Sequence, residues 1–176
     1  MLSLVLGGAR SGKSRYAQLL CAGRELVVVV ATARDDGDPE WRERIQQHRR
    51  DRPEGWQTLE EPVLVPEALA GLPPGAVALV DCVTLWLANL AWDERHRTRG
   101  ERETRLLTRV GALARAAAGR EVVLVSNEVG GGIVPEHAAA REFRDIQGRA
   151  NQHLAAAAER VVLVTAGLPL VLKDAP

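Results

Sequence analysis

Lysine is almost missing from this chain of 176 residues: Lys13 and Lys173 are the only two, and the remaining basic side chains are arginines. Lys plus Arg (23) equals Asp plus Glu (23), so the formal charge is zero. The basic excess of a protein that lives on a phosphate backbone is lacking, which excludes long nucleic acids as partners. Cysteine is equally sparse. Cys21 and Cys82 are too few and too far apart for a disulfide framework or paired zinc ligands, and they fit a reducing compartment. No apolar run approaches the roughly 18 residues that cross a bilayer, so no membrane insertion is expected. The amino terminus opens directly on an apolar stretch without a basic leader, which points to the cytoplasm. Aromatics make up only 3% of the chain, and no internal repeat or low-complexity tract is present.

What is present is ordinary globular composition, 46% hydrophobic and 26% charged. Together with the length it predicts one domain spanning residues 1–176. Continuously apolar, β-branched runs at 2–6, 26–31, 76–80, 121–125 and 161–164 alternate with helical patterns at 13–21, 39–50, 84–91, 102–118 and 138–158. That alternation predicts an α/β fold with a mostly parallel sheet. Because the runs are apolar on both faces, helices should cover both sides of it. The charge-dense run 93–103, between two helices, reads as a solvated loop or helix start.

The first apolar run leads into Gly7-Gly8-Ala9-Arg10-Ser11-Gly12-Lys13-Ser14, and the first helix follows. This is the G-x-x-x-x-G-K-[ST] phosphate-binding loop in its required strand-to-helix setting. The glycines let backbone N–H groups turn inward on an anion, and the helix amino terminus adds its positive end. Lys13 is placed to reach the β- and γ-phosphates and Ser14 to offer its hydroxyl to Mg²⁺, so the expected ligands are ATP or GTP with Mg²⁺.

Open α/β sheets bind ligands at the carboxyl ends of their strands. Asp81 follows an apolar run there, either as a metal or nucleotide contact or as the cap of the helix near Thr84. Glu128 ends another run, inside Ser126-Asn127-Glu128-Val129-Gly130-Gly131-Gly132, a loop whose glycines suit close approach to a ligand or a plain flexible connection. His96, His137 and His153 read as surface residues, and no histidine pair has metal-site spacing. Trp41, Trp56, Trp86 and Trp92 read first as core or interface side chains. His48 closes a helix crowded with guanidinium groups, where a cationic last turn complements the helix dipole. The same arginines would favour a neutral imidazole and gather phosphates, the conditions a nitrogen nucleophile needs at phosphorus. The residues alone leave both readings of His48 open.

Taken together, these stretches resemble one family: the bifunctional adenosylcobinamide kinase and adenosylcobinamide-phosphate guanylyltransferase of cobalamin synthesis. The resemblance rests on the phosphate loop through Arg15, Ala31-Thr32-Ala33, His48 with Arg52-Pro53 and Trp56, and Val80-Asp81-Cys82 with Thr84 and Asn89-Leu90. Further along it includes Ser126 to Gly130 with Gly132-Ile133-Val134-Pro135, then Phe143-Arg144-Asp145 with Gly148 and Asn151-Gln152. It implies a RecA-like P-loop domain, commonly a homotrimer, that phosphorylates the hydroxyl of adenosylcobinamide and then transfers GMP from GTP through a guanylyl-histidine to adenosylcobinamide phosphate. The histidine four residues before the Arg-Pro pair carries that role in the family, and here it is His48. The resemblance also implies nucleotide contacts at Thr32, Ala33, Arg34, Arg49, Arg50, Asp51, Arg52, Glu60 and Asp81, with Ser14 and Asp81 toward the metal. The alternative is a P-loop small-molecule kinase without guanylyl transfer. A GTP-dependent switch is disfavoured by the absence of an Asn-Lys-x-Asp stretch.

Overall fold

The structure is a computed structural model that describes residues 1–35 and 37–175. In chain order it forms β1 (Leu2–Gly7), α1 (Lys13–Cys21), β2 (Val27–Ala31), α2 (Pro39–Arg50), β3 (Gln57–Glu60), α3 (Val65–Ala70) and β4 (Val77–Asp81). Then follow α4 (Val83–Asp93), α5 (Arg99–Ala117), β5 (Glu121–Asn127), α6 (Ala138–Ala157), β6 (Arg160–Thr165) and β7 (Leu168–Asp174). One seven-stranded sheet runs in the order β3-β2-β4-β5-β1-β6-β7. All neighbours are parallel except β7, which returns antiparallel on β6.

The five apolar runs are the five central strands, and successive side chains point to opposite faces. In β2, Val28 and Val30 enter one core while Val27 and Val29 enter the other. The first core lies beneath α3, α4, α5 and α6 and includes Trp86, Leu87, Leu106, Leu113, Ile146 and Leu154. On the opposite face α1 packs through Ala17 and Cys21, supplemented by Tyr16, Leu20, Trp56 and Leu85. Helices therefore cover both faces, but unequally. Among the described residues no helix is long and apolar enough to cross a membrane.

Three elements lie outside the sequence expectations. β3 is a four-residue edge strand with every side chain exposed, so it carries no apolar run. α3 is a six-residue helix with Val65, Pro66 and Leu69 buried. β7 contains Pro169, a residue that argues against a central strand and is tolerated at an edge. The charged run 93–103 is mostly exposed and contains a helix start, as its charge density suggested. Asp93 ends α4, Thr98 and Glu101 form a reciprocal capping box, and α5 starts at Arg99. Arg102 joins Glu142 in a pair in which both side chains are largely shielded.

Candidate active site

The phosphate loop leaves β1 at Gly7 and turns into α1 at Lys13. Its shape depends on close packing. A Cβ on Gly7 would stand 2.4 Å from Ser11 Oγ and 2.7 Å from the carbonyl oxygen of Val164 on β6. Within the loop, the Ser11 N–H donates to the Gly8 carbonyl (3.3 Å), and Arg10 takes a left-handed backbone with φ 58°. The Lys13 ammonium lies over the loop and donates to the Gly8 carbonyl at 3.1 Å.

The loop is also held from outside. The Gly167 N–H donates to the Ser11 carbonyl at 2.8 Å. Gly167 and Ala166 form the two-residue turn between β6 and β7, with φ of 79° and 53°. Positive φ at both positions is what a tight hairpin of this hand demands.

A cleft of about 780 Å³ opens above the loop and is lined by loop residues 10–15 and by one side of α2, including His48. Asp38 caps α2 by accepting from the Trp41 N–H at 3.0 Å, and Pro39 occupies its first turn. On that helix Glu40, Glu43, Gln47 and Asp51 recur at the three- and four-residue spacing of one face, and each lines the cleft. None of these four except Asp51 was singled out from the sequence, although the spacing was there to be read. The Trp41 indole N–H donates to the Arg34 carbonyl at 2.8 Å, which ties α2 back to the end of β2.

The sequence-derived residues divide by placement. Arg10, Ser11, Gly12, Lys13, Ser14, His48 and Asp51 line the one cleft. Gly7, Gly8 and Ala9 complete the loop beside it. Thr32 is fully buried, and its hydroxyl both donates to the Cys82 carbonyl (2.8 Å) and accepts from the Cys82 N–H (2.9 Å). It braces the end of β4. Asn89 does similar work by donating to the carbonyls of Thr32 and Pro62. Arg34 makes a two-pronged pair with Asp93 (3.0 and 2.7 Å). Ala33 lies between these two, half-buried. Arg49 is paired with Glu60, Arg50 is exposed, and the Arg52 guanidinium donates to Thr58 Oγ1 at 2.8 Å.

Asp81 sits at the carboxyl end of β4, half-buried, and does not cap α4, whose first turn has no side-chain cap. Burial lowers the pKa of Arg52, and the Asp81 carboxylate opposes that effect, so the two groups feel each other directly. The Thr84 hydroxyl accepts from the Asn127 N–H at 2.8 Å and ties α4 to the end of β5. Among the described residues no cluster of three His, Cys, Asp or Glu forms a ready cation cage.

Burial excludes the cysteines as nucleophiles. Desolvation, reinforced by Asp81, pushes the Cys82 thiol to about 11, and desolvation reinforced by Glu121 pushes Cys21 to about 12. Neither forms thiolate at neutral pH. His48 is the one histidine lining the cleft, while His96, His137 and His153 are exposed elsewhere, as expected. Of the tryptophans, Trp86 is core and donates to the Val63 carbonyl at 2.8 Å, whereas Trp92 is exposed beneath the Arg95 guanidinium.

Residues 3–172 match the family model described as cobinamide kinase / cobinamide phosphate guanyltransferase. The chain is 45% identical to the bifunctional adenosylcobalamin biosynthesis protein CobP of Pseudomonas aeruginosa, with 100% of this chain and 99% of that one aligned. It is 41% identical to CobU of Escherichia coli and 42% identical to CobU of Salmonella typhimurium, both bearing the same bifunctional description. Each alignment covers 98% of this chain and 100% of the relative.

Proposed function

The chain belongs to the cobinamide kinase / cobinamide phosphate guanyltransferase family, and from that membership we propose how one cleft serves both activities. As a member it is a transferase of cobalamin biosynthesis that phosphorylates cobinamide and then guanylylates the product. A kinase lacking guanylyl transfer is not favoured, since the family model and the relatives' names carry two activities.

In our reading the loop from Gly7 to Ser14 holds the triphosphate of ATP or GTP for the first transfer to adenosylcobinamide. In the second, His48 attacks the α-phosphorus of GTP, expels pyrophosphate and carries GMP until adenosylcobinamide phosphate displaces it. The observation that carries this is the shared cleft: His48 and Lys13 line the same wall-to-wall space, so one bound nucleotide reaches both. Splitting a transfer between two anions into two displacements lets the basic groups offset charge at each step. Arg49 to Arg52 supply charge around the cleft, and Thr32 acts by bracing the β4 end rather than by touching nucleotide. Glu60 and Arg34 enter the nucleotide shell by exchanging their ion-pair partners, Arg49 and Asp93. Ser14 and Asp81 would hold Mg²⁺, which neutralises charge developing on the phosphates. We also assign the protein to the cytoplasm, consistent with two buried, unbridged cysteines, and to a homotrimer.

The test is to incubate the protein with GTP radiolabelled at its α-phosphorus and Mg²⁺, denature it, and follow the label. Label that stays on the chain, survives alkali, is lost in acid and disappears in His48→Ala is the expected result. Retained guanylyl transfer in His48→Ala overturns the nucleophile assignment, and Lys13→Ala should abolish both activities.

A further inference from the structure

The two transfers differ in what their acceptors must lose. The first acceptor is an alcohol. As its oxygen bonds to the γ-phosphorus and the bond from that phosphorus to the β,γ-bridging oxygen breaks, nucleoside diphosphate leaves and the hydroxyl proton has to go to a base. The second acceptor is a phosphate oxyanion with no proton to surrender. A cleft shared by both reactions therefore needs a base for the first only, on a group that the second does not use.

We propose that Glu128 is that base, taking the acceptor's hydroxyl proton in the kinase step and having no part in guanylyl transfer; this rests on the two-transfer reading above. β5 is the immediate neighbour of β1, with Asn127 in register with Gly7. One residue on, the Glu128 N–H donates to the Gly7 carbonyl at 3.0 Å. The carboxylate thus springs from a point bonded to the first residue of the phosphate loop.

That point is rigidly supported. Beneath it, Ser126 donates to Asn151 Oδ1 (2.7 Å), the fully buried Gln147 donates to Ser126 Oγ (2.9 Å), and Asn151 donates to the Asn127 carbonyl (3.0 Å). These bonds fix the backbone at the end of β5, although Gln147 Oε1 is left without a partner among the described residues. The carboxylate itself is exposed and rests on the Gly130 N–H, with Oε1 at 2.7 Å and Oε2 at 3.0 Å. A Cβ at position 130 would lie 2.6 Å from Oε1, so a side chain there would turn the carboxylate aside from this amide. Among the described residues no arginine or lysine is paired with it: its partner there is a backbone amide, which leaves lone pairs for a proton. The loop it begins goes on to expose Ile133 (97%) and Val134 (62%), apolar surface that a bulky acceptor can cover.

The other carboxylates are differently engaged. Glu60 and Asp93 are tied to arginines, and Asp81 lies one strand further from β1, beside Arg52. Glu40 and Glu43 lie on α2 with His48, and Asp51 follows its last turn, so a base among them would act on the side that serves the second transfer.

The experiment uses the full chain and two separate assays: phosphorylation of adenosylcobinamide by ATP, and transfer of α-labelled GMP from GTP to adenosylcobinamide phosphate supplied ready-made. In Glu128→Gln the kinase kcat should fall about 100-fold or more, the usual scale of a lost general base, with the acceptor KM little changed. The acidic limb of its kcat/KM against pH should vanish, and Glu128→Asp should recover part of the rate. Labelling of His48 and guanylyl transfer should match wild type. An unchanged kinase rate, or a parallel fall in both transfers, overturns the proposal and leaves Glu128 as a support of the loop. Absence of label on the wild-type chain counts instead against the guanylyl-histidine, while the kinase comparison still decides Glu128.

Discussion

Gly7 shows how much of the catalytic geometry rests on a single missing methyl group. The space its Cβ would need is taken by Ser11 from within the loop and by the Val164 carbonyl from β6, and neither can be displaced without reshaping the cradle. Gly7→Ala should therefore weaken GTP binding at least tenfold by titration calorimetry, with a thermal-unfolding loss on the overpacking scale of about 1–3 kcal/mol. Unchanged affinity would mean that the loop relaxes freely. The loop glycines, Lys13 and Ser14 could be read from the chain because a phosphate cradle needs a contiguous pattern. The roles of Thr32, Arg34 and Arg49 could not. Their partners, Cys82, Asp93 and Glu60, are distant in sequence, and a pairing of that kind leaves no local trace. The Glu128 carboxylate was visible as a strand-end acid, but its fit to the Gly130 amide was not.

Among the elements, α5 has the most clearly specified beginning. Thr98 accepts from the Glu101 N–H, and the Glu101 carboxylate takes the Thr98 N–H in return (3.1 Å). Thr98→Ala should cost about 1 kcal/mol of stability in denaturant unfolding and leave both transfers intact. A larger loss would show that the cap also secures the Arg102–Glu142 pair that follows it. The five central strands and five longer helices were legible because burial on both faces and helical periodicity are strong signals. The edges were not. β3 has a single apolar residue, Leu59, and β7 carries a proline, because edge strands are freed from the rules that make central strands recognisable. α2 was found to its boundaries, since Asp38, Pro39 and the basic last turn mark both ends.

For the molecule as a whole, the conspicuous surface is β7. Leu168 (72% exposed), Leu170 (59%), Val171 (45%) and Leu172 (55%) lie exposed on this edge strand, an apolar row that soluble monomers rarely leave in water. The homotrimer proposed above would account for it by burying this row. Leu170→Glu combined with Leu172→Glu should then shift the mass measured by light scattering from three chains to one, and a trimer that survives both substitutions would place the contact elsewhere. Directly beside this surface, the turn at Ala166 and Gly167 has the outward look of spare chain: two exposed residues at a hairpin tip, the sort of place where tags, cuts and insertions are commonly accepted. The hydrogen bond from Gly167 to Ser11 closes it to such editing, because lengthening the tip by one residue would withdraw the donor that steadies the phosphate loop. For anyone who splits, permutes or fuses this protein, the hairpin nearest the carboxyl terminus has to be handled as part of the catalytic core.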